Sequence, residues 1–238
     1  MTDTPKLPDN PVFVALDTPD LDLALRWCEA VRGHVGGVKT GLEFFSANGA
    51  DGVRTIVDTG LPIFLDLKFH DIPNTVAGAV RAVAGLGAAI VNVHASGGPA
   101  MLDAARNAAE QAGGPARPLV IAVTVLTSMD DGDLRAVGQA APAEEQVVRL
   151  AALSRDHGLD GVVCSPAEIG PIRAACGPDF KLIVPGIRPD WAVSGDQKRI
   201  TTPREARDRG ADVLVIGRPI TGADDPAAAA ARISKELA

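Results

Sequence analysis

Charged side chains interrupt an apolar run between residues 64 and 71, which has the sequence FLDLKFHD. Side chains in a β-strand alternate between two faces, so Phe64, Asp66 and Lys68 are predicted to point one way. Buried ions lose several kcal/mol of hydration each, so a carboxylate and an ammonium inside a fold indicate a pair with a function. Such a pair can stabilise a developing anion and deliver a proton. A purely structural ion pair is the competing interpretation.

Further polar side chains follow apolar runs elsewhere in the chain. Each occupies the position where a predicted strand ends: Asp17 after VFVAL, Lys39 after GGV, Thr127 after VTVL, Arg188 after VPGI and Arg218 after VLVIG. A solvated loop residue explains any one of them alone. Because the carboxyl ends of the strands build the active site in α/β barrels, their joint placement predicts one site.

The elements that must position these residues alternate between two types. Eight short apolar runs are predicted strands, at 11–16, 36–39, 61–69, 88–95, 118–126, 160–165, 181–186 and 212–217. Segments with helical periodicity lie between them, for example 22–33, 76–87, 101–114 and 144–158, and Asp225 with Pro226 predicts the start of a last helix. Eight such units predict an α/β fold, a single (β/α)₈ TIM barrel over residues 1–238, with 1–10 as an N-terminal extension. A doubly wound open sheet is the competing fold.

The composition argues against several classes of partner. The chain of 238 residues has a formal net charge of −7, whereas binding to nucleic acid or to an anionic membrane needs a basic face. No stretch reaches the ~18 apolar residues of a membrane span, and the first ten residues contain no apolar signal region. Three cysteines without a close pair fit a reducing compartment, so we predict a cytoplasmic protein. His70 and His94 have no further ligands at an evident metal-binding spacing, and no metal site is predicted.

The segment from Asp66 to Thr75, DLKFHDIPNT, resembles the signature of the orotidine 5′-phosphate decarboxylase family. Further motifs of that family are similar, in the same order, to ALD (15–17), VKTG (38–41), HASGG (94–98), LTS (126–128), PGIRP (185–189) and IGRPI (216–220). The similarity therefore spans nearly the whole chain. Related barrels that act on sugar phosphates are similar in the Asp-x-Lys-x-x-Asp segment, whereas the Ile-Pro-x-Thr continuation and Gly-Ile-Arg-Pro favour the orotidylate enzymes.

The resemblance implies conversion of orotidine 5′-phosphate to uridine 5′-phosphate, the last step of pyrimidine synthesis, without a cofactor. It implies that Lys68 protonates C6, within a charge array formed with Lys39, Asp66 and an Asp71 supplied by the partner subunit of a homodimer. In the implied substrate site, Asp17, Lys39 and Thr75 hold the ribose. Thr127 and Ser128 contact the base, whereas base and phosphate are bound by Arg188, Gln197, Gly217 and Arg218. Asp66 and Ile72 also belong to the implied substrate site. Residues 188–199 are expected to close over the phosphate, as loops on this face of barrels do.

Two alternatives to this function stay open. One is a magnesium-dependent sugar-phosphate decarboxylase or aldolase of the same barrel group, in which the carboxylates help to hold metal. The other is a barrel that binds nucleotide for regulation without catalysis. Activity that survives a chelator argues against the first, and turnover of any kind argues against the second.

Overall fold

The computed structural model describes residues 6–113, 117–140, 142–192 and 201–237. Within these ranges every predicted apolar run forms a strand: β1 (Val12–Ala15), β2 (Gly37–Gly41), β3 (Ile63–Phe69), β4 (Ile90–His94), β5 (Leu119–Val123), β6 (Gly161–Val163), β7 (Lys181–Pro185) and β8 (Val213–Ile216). Each strand is parallel to the next, and β8 pairs with β1, so the sheet closes. The predicted (β/α)₈ barrel is confirmed, and the open doubly wound sheet is wrong.

Helices connect the strands on the outside of the barrel. They are α1 (Leu21–Val31), α2 (Leu42–Val57), α3 (Pro73–Ala84), α4 (Pro99–Gly113), α5 (Asp131–Ala136), α6 (Ala143–Asp156), α7 (Ile169–Cys176), α8 (Pro203–Asp208), α9 (Arg218–Thr221) and α10 (Pro226–Leu237). The carboxylate of Asp225 accepts a hydrogen bond of 3.0 Å from the Ala228 N–H, which confirms the predicted start of the last helix. No helix in the described ranges is long and apolar enough to cross a membrane.

The strands separate two layers of buried apolar side chains. The inner layer fills the barrel and includes Phe13, Phe64, Ile121 and Ile183. The larger outer layer packs the other face of each strand against the helices, and it includes Leu65 of β3. Strands buried on both faces explain the nearly continuous apolar runs in the sequence.

Ion pairs close the end of the barrel where the strands begin. Arg117, which precedes β5, and Asp160, which precedes β6, form a bidentate pair with N–O distances of 2.7 and 2.8 Å. Both side chains are buried, and Asp160 also accepts the Val120 N–H at 2.7 Å. These polar groups join β5 and β6 at the end of the barrel opposite to the predicted site.

Candidate active site

A line of alternating charges crosses the mouth of the barrel. Lys39 on β2 places its Nζ 2.5 Å from Asp17 Oδ1 and 4.0 Å from Asp66 Oδ2, and Lys68 Nζ lies 2.7 Å from Asp66 Oδ1. The side chains of Lys39 and Asp66 are only 10% and 15% exposed, so these charges stabilise one another with little screening by solvent. A Cβ at Gly41 would lie 3.2 Å from Lys39 Nζ, so a glycine there leaves room for the ammonium. The structure thus brings together four of the predicted site residues.

The β3 backbone departs from a regular strand where it presents Lys68. Its leucines Leu65 and Leu67 pack in the outer layer, as the alternation predicts, while Asp66 points into the mouth. Lys68, however, has a φ of 52°, and among the described non-glycine residues it alone has a positive φ. Backbone in this region is strained and is retained where the surroundings impose it, often at functional sites. The Lys68 ammonium therefore reaches Asp66 through an irregular strand and not through alternation alone.

Asn92 on β4 contacts this irregular stretch of β3, although no motif in the sequence pointed to it. Its Oδ1 accepts the Lys68 N–H and its Nδ2 donates to Asp66 Oδ1, both at 2.7 Å. The side chain is fully buried. The available signal was an asparagine inside the apolar run AAIVNVHA, because a buried amide needs partners for its donors and its acceptor.

Two adjoining cavities open beside the charges. The first, of about 250 Å³, is polar and is lined by Ala15, Asp17, Lys39, Asp66, Pro185, Gly186, Ile187, Arg188, Val215, Gly217, Arg218 and Pro219. The second, of about 190 Å³, is mainly apolar and is lined by Lys39, Phe64, Asp66, Lys68, Val123, Val125, Leu126, Thr127, Val163, Ile183, Pro185 and Val215. Lys39, Asp66, Pro185 and Val215 border both, so the charge array stands where an apolar slot meets a polar one.

The two predicted arginines lie at the polar cavity. Arg188 follows β7 and is 7% exposed, and its backbone N–H donates to the Thr201 carbonyl at 3.1 Å. Arg218 is the first residue of α9, directly after Gly217, and its side chain is exposed. Two guanidinium groups in one cavity suit an anion with several oxygens, such as a phosphate.

Comparison with known proteins gives a consistent result. Residues 10–233 match the family described as "Orotidine 5′-phosphate decarboxylase / HUMPS family". The chain belongs to this family. It is 58% identical over 236 residues to the orotidine 5′-phosphate decarboxylase of Rhodospirillum rubrum, which covers 98% of this chain and 96% of that protein. It is 56% identical over 231 residues to the protein of that name from Paramagnetospirillum magneticum, which covers 96% and 98%.

Solved structures agree with this assignment to the orotidine 5′-phosphate decarboxylase family. The crystal structure of orotidine 5′-phosphate decarboxylase from Lactobacillus acidophilus superposes with a TM-score of 0.86 at 39% sequence identity. The match covers 96% of this chain and 99% of that one. The predicted resemblance is therefore confirmed at the level of both sequence and fold.

Not every residue that the family resemblance implied lies at these cavities. Thr127 lines the apolar one, whereas Ser128 occupies the next position of an exposed turn and lines neither. Asp71, Ile72 and Thr75 also line neither. Gln197 lies outside the described residues, as does most of the expected phosphate-closing segment.

The segment from Asp71 to Thr75, the end of the family signature, is exposed along its whole length. Ile72 is 67% exposed, and the Asp71 carboxylate accepts the N–H of Ile72 at 2.6 Å. The N-cap of α3 is Ile72, and no side chain caps this helix. Helix formation therefore leaves these polar side chains available for contacts outside the chain.

Two histidines lie beside the array. The rings of His70 and His94 lie 5.3 Å apart between centroids. Burial, and then the nearby His70 and Lys68, lower the pKa of His94, so its ring is neutral near pH 7. Across the described part of the chain, no three His, Cys, Asp or Glu side chains form a group that could hold a metal ion.

Proposed function

We propose that this member of the family decarboxylates orotidine 5′-phosphate to uridine 5′-phosphate and carbon dioxide. The observation that carries the proposal is the Lys39–Asp66–Lys68 array at the junction of the apolar and polar cavities. The same junction suits a flat base on one side and a ribose phosphate on the other. The relatives at 56% and 58% identity, named for this reaction, support the same choice within the family.

The chemistry of the reaction explains why an ammonium is needed at this position. When the bond from C6 to the carboxylate breaks, the electron pair stays on C6 in an orbital in the plane of the ring. It cannot delocalise into the π system, so nearby positive charge must stabilise it. The Lys68 ammonium is suited to stabilise this pair and then to transfer one proton to C6. The neutral amine regains a proton from solvent, so the net reaction consumes one proton and releases one carbon dioxide.

Remote groups are assigned to binding and orientation. Asp17 and Lys39 are placed to hold the ribose hydroxyls, since both border the polar cavity and pair with each other. Arg188 and Arg218 are assigned to the phosphate, with Gly217 between β8 and Arg218. Binding energy gained at a distant phosphate can be used to fix the reacting end of a substrate. Thr127 is assigned to the base because it lines the apolar cavity.

The exposed signature residues are assigned to a neighbouring site across a homodimer. Asp71 is a carboxylate of the family signature, yet within its own chain it accepts the backbone N–H of the next residue. Exposure of Ile72 and Thr75 beside it supports burial of this segment against a second copy. In that arrangement Asp71 completes the charge array of the partner subunit, and Ile72 and Thr75 contact its substrate.

Turnover of orotidine 5′-phosphate in the presence of excess EDTA tests the function. We expect the ultraviolet absorbance of the substrate to fall while one carbon dioxide appears per molecule consumed. Turnover that EDTA abolishes, or turnover of a sugar phosphate instead, would support the metal-dependent alternative. Binding of uridine 5′-phosphate without any turnover would support the non-catalytic barrel.

Mixing two inactive variants tests the homodimer separately. Lys68→Ala and Asp71→Ala each destroy every site in their own dimers. A mixed dimer regains one intact site, which combines Lys68 of one chain with Asp71 of the other. If subunits exchange freely, an equal mixture is expected to recover about a quarter of wild-type activity, because half of the dimers are mixed and each has one of two sites. Failure to recover activity, with exchange shown by mass spectrometry, would place Asp71 in its own chain's site. A fully active Asp71→Ala variant would place it in no site.

A further inference from the structure

The pairing between β3 and β4 is interrupted at Asn92. Leu65 pairs with Val91, and the next aligned pair is Phe69 with Val93. Three residues of β3, from Asp66 to Lys68, therefore stand opposite the single residue Asn92. Extra residues in a strand lose their ladder hydrogen bonds and change the direction of their side chains.

The Asn92 amide replaces what the ladder has lost. Lys68 N–H can only donate and the Asp66 carboxylate can only accept, so these two contacts fix which end of the amide faces each of them. One planar group thus binds the backbone of the proton donor and the side chain of its counter-ion. Its full burial leaves no water to substitute for either contact.

We infer that Asn92 is a positioning residue for the reaction, which holds Lys68 in its positive-φ conformation and orients Asp66 toward it. The inference rests on the proposed decarboxylation, and it adds a residue that itself borders neither cavity. Without the amide, the backbone of Lys68 is expected to relax toward negative φ, because only the surroundings keep a non-glycine residue at 52°. The ammonium then leaves the position from which it can reach C6.

Asn92→Ala tests the inference, with Thr40→Val as a matched control. Thr40 is likewise fully buried in a strand of the barrel, and its Oγ1 has no hydrogen-bond partner among the described residues. We expect kcat of Asn92→Ala to fall about 100-fold, the effect of a misplacement of about 1 Å, while KM changes less than about threefold. Thr40→Val is expected to keep the wild-type kcat. An Asn92→Ala kcat within about threefold of wild type would overturn the inference.

Asn92→Asp gives a readout that a purely structural role would not change. An ionised Asp at this position has no proton to donate to Asp66, whereas a protonated one matches both contacts of the amide. Two adjacent carboxylates retain a proton more readily than one, so the ratio of variant to wild-type kcat should rise as pH falls from about 8 to about 5. The ionisable groups around the position are Asp66 and Lys68 on β3, Lys39 beyond them on β2, His94 on β4, whose pKa is lowered by burial, and the neighbouring His70. The residue of β5 that pairs with Asn92 is the apolar Ile121. These groups are the same in both proteins, so a flat ratio would count against the inference.

Crystal structures separate this inference from the proposed function. In Asn92→Ala we expect Lys68 to leave positive φ and its Nζ to move beyond 4 Å from Asp66. An unchanged Lys68 would overturn the positioning role whatever the activity. If wild type fails to turn over the substrate, the proposed function is wrong, while the geometry of the variant still decides what Asn92 does. If Asn92→Ala does not fold, the structure and the pH series of Asn92→Asp decide the question.

Discussion

Replacing Lys68 by alanine should nearly abolish turnover while leaving the fold and the binding site in place. Lys68 Nζ is 2.7 Å from Asp66, and its side chain is 30% exposed, so the ammonium acts from a partly desolvated position. At an effective dielectric constant of about 20, a unit negative charge about 3 Å from an ammonium gains about 5.5 kcal/mol. Loss of that stabilisation corresponds to a decrease of about 10⁴-fold in rate, and loss of a positioned proton donor works in the same direction. We therefore expect kcat to fall by at least about 10⁴-fold.

The assay for this prediction needs a control lysine and a measure of binding. Lys181 is well matched: its side chain is 29% exposed and lies 3.6 Å from Asp212, but it begins β7 at the opposite end of the barrel. Lys181→Ala is expected to keep wild-type kcat. Titration calorimetry with uridine 5′-phosphate should give a Kd within about tenfold of wild type for Lys68→Ala, because the phosphate site is untouched. If Lys68→Ala binds normally and keeps kcat within about tenfold, Lys68 is not the proton donor.

Three further outcomes test other parts of the structure. Trp191 lies at the start of the segment after β7, and the guanidinium of Arg232 is 4.6 Å from its ring centroid. Binding of uridine 5′-phosphate should therefore change the tryptophan fluorescence. The Trp191→Phe variant should lose that change, and the Trp27→Phe variant should keep it. Asp160→Asn removes the charge that pairs with the buried Arg117. It should lower the free energy of unfolding by about 3–5 kcal/mol and Tm by roughly 10 °C, and calorimetry measures this loss. Steady-state kinetics should show an unchanged kcat. Burial raises the pKa of the Glu168 carboxyl above its value in the unfolded chain. The contribution of this group to stability is therefore greatest below the unfolded pKa and is lost as pH rises through the folded pKa. Glu168→Gln should raise Tm relative to wild type more at pH ~8 than at pH ~4, and an equal difference at both would contradict this.

Most of the barrel could be predicted from the chain alone. All eight apolar runs became strands, because parallel strands covered on both faces need apolar side chains at nearly every position. Asp17, Lys39, Asp66, Lys68, Arg188 and Arg218 were predicted to meet because parallel strands bring their carboxyl ends to one side, and all six line the adjoining cavities. These inferences depend on the type of each residue and on its place relative to a strand end, which are properties of the sequence.

Other features depend on contacts between distant segments and could not be predicted in this way. Alternation along FLDLKFHD suggested a regular strand, yet Lys68 has a positive φ, and its backbone N–H donates to a side chain 24 residues away. The local pattern along this strand allowed more than one backbone conformation, and contacts with other strands selected one of them.

The sequence by itself determined the barrel, the charged strand and the side of the sheet on which the site lies, because periodicity and strand order are local and topological. Only the tertiary structure decided how the charges are held. Asn92 joins Asp66 to the backbone of Lys68 across two strands whose registers shift by two residues. A register shift follows from the balance of many non-local contacts, so nothing in the spacing of the residues along the chain could reveal it.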